Sequence, residues 1–192
     1  MLFRSKPDGV DEGIVRGLYR YADAPVPGHP ATILASGSAM GAALDAQRLL
    51  AEGFGVAAEV WSATSWKALR EDALDAERWN RLHPGAEPRV PYVTACLANG
   101  SGPVVGVSDW MVAVADQISR WVPRRFDALG TDGFGFSDTR PALRRHFEVD
   151  AEHLAVAVLS ALARDGVVEP EVVRAAIGRW GIDAETPPPR YL

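Results

Sequence analysis

The side chains with most capacity for chemistry are gathered in Leu-Gly-Thr-Asp-Gly-Phe-Gly-Phe-Ser-Asp-Thr-Arg, Leu129 to Arg140. Hydroxyls and carboxylates at Thr131, Asp132, Ser137 and Asp138 are interleaved there with Phe134 and with Gly130, Gly133 and Gly135, glycine being the residue whose backbone reaches angles closed to others. Ser137 and Asp138 are types that cap a following helix, so the stretch reads as strand, tight loop, helix. In an open parallel sheet, loops leaving the carboxyl ends of strands are where ligands and partners meet the fold. The working edge is expected here.

A second candidate, Ser36-Gly37-Ser38 through Gly41, also lies between an apolar run and a helical pattern, where backbone N–H groups can hold a phosphate. It has neither the three-glycine dinucleotide pattern nor the Gly-Lys-Ser/Thr of a P-loop, so a helix cap is the simpler reading. The four histidines, His29, His83, His146 and His153, form no i, i+4 pair and have no companion cysteines, which argues against a metal site. His83 stands beside Pro84 and Arg89 in a loop. His146 closes the helix after the glycine loop, where the helix dipole favours a cation. Structural roles are the simpler reading for both, and Arg144 and Arg145 read as a solvated or interface-facing basic edge. Cys96, the sole cysteine, reads as an inert thiol in a reducing compartment. No serine, cysteine or lysine occupies a nucleophile elbow. Thr131-Asp132-Gly133 lacks the downstream paired asparagines of the Gly-Asp-Gly signature for magnesium and thiamine diphosphate.

The elements that must position these residues follow from hydrophobic period and punctuation. Residues 1–14 read as a polar lead-in that needs another surface to be ordered, and the alternation over Val15–Tyr21 as an edge strand. Ala31–Ala35 is a buried strand, followed by a helix to about Glu52 that Gly53 and Gly55 end. Val56–Trp61 is a strand and Ser62–Ser65 a capping run. A helix over Trp66–Leu82 puts Trp66, Leu69, Ala73 and Ala76 on one face, pairs Glu77 with Arg81, and stops at His83-Pro84. Tyr92–Leu97 reads as a short strand or helix. Pro103–Val107 is a strand, Ser108 and Asp109 cap a helix over Met111–Trp121, and Arg125–Leu129 is the last strand. A short helix to Phe147 follows the glycine loop, then a long helix capped by Asp150, then one from Pro170 to Gly181. Residues 15–182 form one domain and 183–192 a proline-rich tail. The expected fold is a three-layer α/β/α sandwich, with a mostly parallel sheet and an antiparallel edge strand.

At 192 residues the chain suits a single core. A net charge of -5, with both signs interspersed, argues against a nucleic-acid partner. No apolar run approaches the roughly 18 residues of a membrane span, and no signal-peptide core is visible, so no membrane association and a cytoplasmic location are expected. Six tryptophans suit either a packed core or a partner surface.

Several longer motifs occur in one order: Gly-Val-Asp-Glu-Gly-Ile-Val-Arg-Gly-Leu-Tyr (Gly9–Tyr19), Ala-Ser-Gly-Ser (Ala35–Ser38), Thr-Ser-Trp (Thr64–Trp66), Glu-Arg-Trp-Asn-Arg-Leu-His-Pro (Glu77–Pro84), Pro-Arg-Val-Pro-Tyr (Pro88–Tyr92), the glycine loop, and Arg-His-Phe-Glu-Val-Asp (Arg145–Asp150). Together, over about Pro7 to Ile182, they resemble the C-terminal domain of the homodimeric-type pyruvate dehydrogenase component, the thiamine-dependent decarboxylating subunit. The resemblance implies a transketolase-like C-terminal fold in an enzyme of three α/β domains. The cofactor binds between the first two domains across a dimer interface, and the third supports the dimer and borders the active-site entrance. It implies no cofactor on this chain alone, and thiamine diphosphate and magnesium on partner chains that carry the pyrophosphate- and pyrimidine-binding domains, in an assembly that forms a homodimer. The matching segments expected at the interface and channel mouth are His83, Thr131, Asp132, Gly133, Phe134, Gly135, Ser137, Asp138 and His146, none with a chemical step. A split subunit or excised piece of such an enzyme, pyruvate dehydrogenase-like or transketolase-like, is one expectation. A non-catalytic binding module that retains the fold is the alternative.

Overall fold

The computed structural model describes residues 6–191. Five strands form one sheet in the order β1-β3-β2-β4-β5, with β1 (Leu18–Ala22), β2 (His29–Ala35), β3 (Val56–Ala63), β4 (Val104–Val107) and β5 (Phe126–Leu129). β2 runs parallel to β3 and β4, and β4 parallel to β5, while β1 pairs antiparallel with β3 at one edge. This is the expected sandwich with its antiparallel edge.

Alternation along the strands divides the core into two layers. Ile33, Val60 and Val105 face α2 (Met40–Phe54), α7 (Ala151–Arg164) and α8 (Pro170–Arg179), packing among Ala43, Leu50, Leu154, Val158 and Leu159. Their neighbours Leu34 and Val104 face the other way, with Ala63, against Trp66, Leu69 and Ala73 of α3 (Trp66–Leu82) and Val93 and Leu97 of α4 (Tyr92–Leu97). A fully buried leucine such as Leu159 contributes about 1.5–3 kcal/mol by leaving water. α3 has the bounds its punctuation implied: Ser65 accepts the Ala68 N–H at 3.1 Å, and His83 follows the last turn. Asp150 likewise caps α7 by accepting the His153 N–H at 2.8 Å.

Several local expectations are corrected. The stretch over Val15–Tyr21 is not one strand: α1 (Asp11–Arg16) occupies its start, and Gly17 turns the chain into β1 with φ 101°, an angle that favours glycine. α1 is held by its own chain, through the Ile14 carbonyl that accepts the Thr64 hydroxyl at 2.8 Å and a buried Gly13 backed by Leu18 and Tyr19. The lead-in's first five residues lie outside the described ones. β2 begins at His29, because pairing with Val56 and Ala57 extends it, while pairing with β4 starts only at Thr32 and so asks nothing of Pro30 on that side. β3 runs on to Ala63 because β1 continues the ladder, Tyr19 opposite Ser62 and Leu18 opposite Ala63. Tyr92–Leu97 is the helix α4. Glu77 does not pair with Arg81; it accepts the Trp121 indole N–H at 2.8 Å and pairs with Arg120. The expected Met111–Trp121 helix is broken into α5 (Val112–Asp116) and a 3₁₀ turn over Ser119–Trp121, the tighter i→i−3 bonding that sets both Ile118 and Trp121 in the core. α6 (Arg140–His146) follows the glycine loop.

β5 forms the other edge, and charge lies along it: Asp127 pairs with Arg164, and Arg125 with Asp165 at 2.6 Å.

Candidate functional site

The parallel strands β2, β3, β4 and β5 all end at one edge, and the loops that leave them meet there. Backbone bonds lock the strand ends together, Ser36 N–H to the Val107 carbonyl at 3.1 Å and Ser108 N–H to the Leu129 carbonyl at 3.2 Å. Beyond them, side chains tie loop to loop. The Ser38 hydroxyl donates to the Asp109 carboxylate, and Arg144 of α6 reaches back to donate to the Ser38 carbonyl at 2.7 Å and its hydroxyl oxygen at 3.2 Å. Thr131 donates its hydroxyl to the Asp109 carbonyl at 2.7 Å. These ties frame a cavity of about 580 Å³ with a polar rim at Ser38, Asp109, Thr131 and Arg144 and an apolar wall at Phe136 and Phe147. Such a rim and wall suit recognition.

The glycine loop is built by three different constraints. Gly133 has φ 106°, the left-handed region. Gly130 is needed for space, since a Cβ would stand 2.4 Å from the Trp110 carbonyl oxygen, and Gly135 meets nothing within 4 Å. The expectation that all three supply unusual angles therefore holds for Gly133 alone. Ser137 and Asp138 do not cap α6. Asp138 accepts the N–H of its neighbour Thr139 at 2.6 Å, and Thr139 holds the cap position without a side-chain bond. Ser108 and Asp109 do not cap α5 either; Asp132 does so from another loop, accepting the Val112 N–H at 2.9 Å. Ser36 caps nothing and instead accepts the Trp66 indole N–H at 3.1 Å.

Of the residues singled out, Thr131, Asp132, Gly133, Phe134, Gly135, Ser137, Asp138 and His146 share one edge. His146 lies between aromatic edges, 4.7 Å from the Phe136 ring centre and 4.8 Å from that of Phe147, and its Nε2 is buried without a hydrogen-bond partner among the described residues. His83 is elsewhere. It closes the far end of α3, about 25 Å of helix from Trp66 at the site edge, stacked 4.5 Å from the Trp79 ring centre with Nδ1 2.8 Å from the Trp79 carbonyl oxygen. Sequence reasoning missed the joint role of Ser38, Asp109 and Arg144. Asp109 directly follows β4, so the same rule about carboxyl ends that marked the glycine loop could have found it.

The edge also exposes large apolar side chains that cores normally consume. Trp110 is 65% exposed, Met111 57%, Phe134 82% and Phe136 51%. All four come from the two loops joined by the Thr131 ties.

The sequence matches the family described as the transketolase-like TK C-terminal domain over residues 17–150. It is 53% identical over 180 residues to the pyruvate dehydrogenase E1 component of Mycobacterium tuberculosis, covering 93% of this chain and 19% of that protein. Identity to the pyruvate dehydrogenase E1 component of Mycolicibacterium smegmatis is 49% over 181 residues, 93% of this chain and 20% of the other. Among solved structures, transketolase from Leishmania mexicana superposes with a TM-score of 0.54 at 25% identity, over 80% of this chain and 19% of that one. The chain thus spans about a fifth of the length of the curated relatives it matches. From the five-stranded sheet, the ordered motifs and the match over residues 17–150, the chain belongs to the transketolase-like C-terminal domain family.

Proposed function

We propose that this chain serves as the C-terminal-domain part of a thiamine diphosphate-dependent enzyme, pyruvate dehydrogenase-like or transketolase-like, and docks through its carboxyl edge on chains carrying the pyrophosphate- and pyrimidine-binding domains. The observation that carries this reading is the exposure of Trp110, Met111, Phe134 and Phe136 together on adjoining loops. Large exposed apolar side chains gathered at one edge beside a polar rim support protein–protein contact. Here the rim is the Ser38, Asp109 and Arg144 cluster, and the loop is the one that matches the family's motif.

The magnesium that accompanies the cofactor finds no ligand set among the described residues of this chain. No three His, Cys, Asp or Glu side chains among them stand close enough to hold a metal ion, and Asp109 and Asp132 are already engaged by Ser38 and the Val112 N–H. In this reading thiamine diphosphate and magnesium are held by the partner chains, and the Thr131–Asp138 loop and His146 border the entrance and support assembly. No helix among the described residues is long and apolar enough to cross a membrane.

The test is co-expression with chains carrying those two domains. The expected result is a complex with cofactor-dependent 2-oxo acid decarboxylase or ketol-transfer activity, lost in a Phe134→Ser/Phe136→Ser variant that still folds cooperatively on its own. Tight binding of thiamine diphosphate to the isolated chain, or assembly by the double variant as by the original, would sink the proposal. Co-purification from the source cell with no thiamine-binding chain would mark a non-catalytic binding module instead.

A further inference from the structure

The proline-rich segment after Ile182 is not a free tail. Its backbone rests on the glycine loop: a Cβ at Gly133 would stand 2.7 Å from the Pro189 carbonyl oxygen, 3.1 Å from its carbonyl carbon and 3.2 Å from the Arg190 Cα. Contact of backbone with backbone cannot be relieved by a side chain swinging away. The segment is shaped by its own turns, with the Glu185 N–H on the Asp183 carboxylate at 3.0 Å and the Tyr191 N–H on the Pro188 carbonyl at 2.9 Å. Three consecutive prolines, Pro187–Pro189, restrict the unfolded segment and lower the entropy cost of seating it. A small cavity of about 170 Å³ remains beneath it, between Leu129, Gly130, Asp132 and Phe147 on one side and Pro188 and Arg190 on the other. The Asp132 that faces this cavity is the residue that caps α5.

We propose that Thr186–Tyr191 is a clasp that holds Gly130–Thr139 in the shape presenting Phe134 and Phe136, so that its seating or release switches the docking edge. This rests on the docking reading above. A clasp of six residues with few buried contacts lies at the low-stability end of the fold, where segments open without global unfolding. It can therefore be released while the sheet stays intact. Coupling is reciprocal, so loosening the loop must loosen the clasp by the same factor.

Amide hydrogen exchange on the isolated chain tests this without any partner. Ending the chain after Ala184 is expected to speed exchange of the Thr131 amide, which is bonded to the Trp110 carbonyl at 2.9 Å, about tenfold, while amides of β2 and α7 keep their rates. Gly133→Ala, which sets a Cβ against the Pro189 backbone, is expected to speed exchange of the Tyr191 amide, which is bonded to the Pro188 carbonyl at 2.9 Å, about tenfold. Gly135→Ala, with open space at its Cβ, leaves both segments unchanged. Unchanged Thr131 exchange in the shortened chain, or unchanged Tyr191 exchange in Gly133→Ala, overturns the clasp. Should the shortened chain fail to fold, the two glycine variants decide alone. Failure of docking would show differently, as an intact chain with a protected loop that captures no partner.

Discussion

Asp132 offers the sharpest separation of a structural role from a chemical one, because it sits in the motif that marks the expected entrance yet its carboxylate is spent on a helix. α5 has five residues and no cap from its own chain segment; among the described residues the Val112 N–H is satisfied only by Asp132 Oδ1, at 2.9 Å. Losing a helix cap costs about 0.5–2 kcal/mol, and losing a hydrogen bond to a charged acceptor about 1.5–3 kcal/mol. Asp132 is half-buried, so water recovers part of the loss, and Asp132→Ala is expected to cost about 1–2 kcal/mol. For a chain of this size that lowers the melting temperature by about 2–8 °C. Asp132→Asn keeps a carbonyl oxygen at the same place and should restore more than half of the loss. Urea unfolding followed by tryptophan fluorescence measures both, with Trp110 on the adjoining loop as a local reporter. An unchanged Asp132→Ala variant, or an Asp132→Asn variant as unstable as the alanine, would refute the capping assignment.

Two further outcomes depend on ionisation. Burial pushes the Asp150 carboxyl up, but hydrogen bonds from the His153 side chain and backbone, with Arg145 nearby, outweigh it and hold the group below its ordinary value. The stability this contributes is present above the unfolded value of about 3.9 and is lost as pH falls through the folded one. Asp150→Asn should therefore flatten the acid limb of a stability-against-pH curve below about pH 4, and an acid limb identical to that of the unaltered chain would contradict the assignment. Burial, followed by a bond with the Cys96 thiol, pushes the Tyr92 phenol up to about 12, and its O–H donates to the Leu18 carbonyl at 3.0 Å. Its contribution is complete below the unfolded value of about 10 and declines from there to about 12. Absorbance titration at alkaline pH should show one late tyrosine that Tyr92→Phe removes; four tyrosines titrating together would exclude it.

Legibility tracked how local the determining interactions are. α3 was readable because everything that bounds it lies within a few residues, Ser65 before it and His83-Pro84 after it. The mostly parallel sheet and its antiparallel edge followed from apolar runs alternating with helical periods; the strand order did not. α1 was unreadable because the alternation through Val15–Tyr21 satisfies a strand until Gly17 breaks it at φ 101°. Capping assignments failed where distant groups intervened: Asp132 reaches Val112 across 20 residues, and Trp66 claims the Ser36 hydroxyl across 30. Distance likewise hid the cluster at Ser38, Asp109 and Arg144, since none of its members forms a motif with another. The seating of Pro189 on Gly133 left no trace in local pattern, because proline runs look alike whether docked or loose.

The charged flank of β5 bears on how this domain can join larger bodies. A strand at the rim of a sheet has unspent N–H and C=O groups and invites a neighbour to continue the ladder. Here a newcomer would have to bury or tear apart the Asp127–Arg164 and Arg125–Asp165 pairs, and stripping water from such charges is costly. At the opposite rim Arg20 plays the same part with Glu59 and Asp23. Guarded at both sides, the sheet resists extension by a sixth strand, which under the docking proposed above leaves its loop-bearing end for contact with other chains.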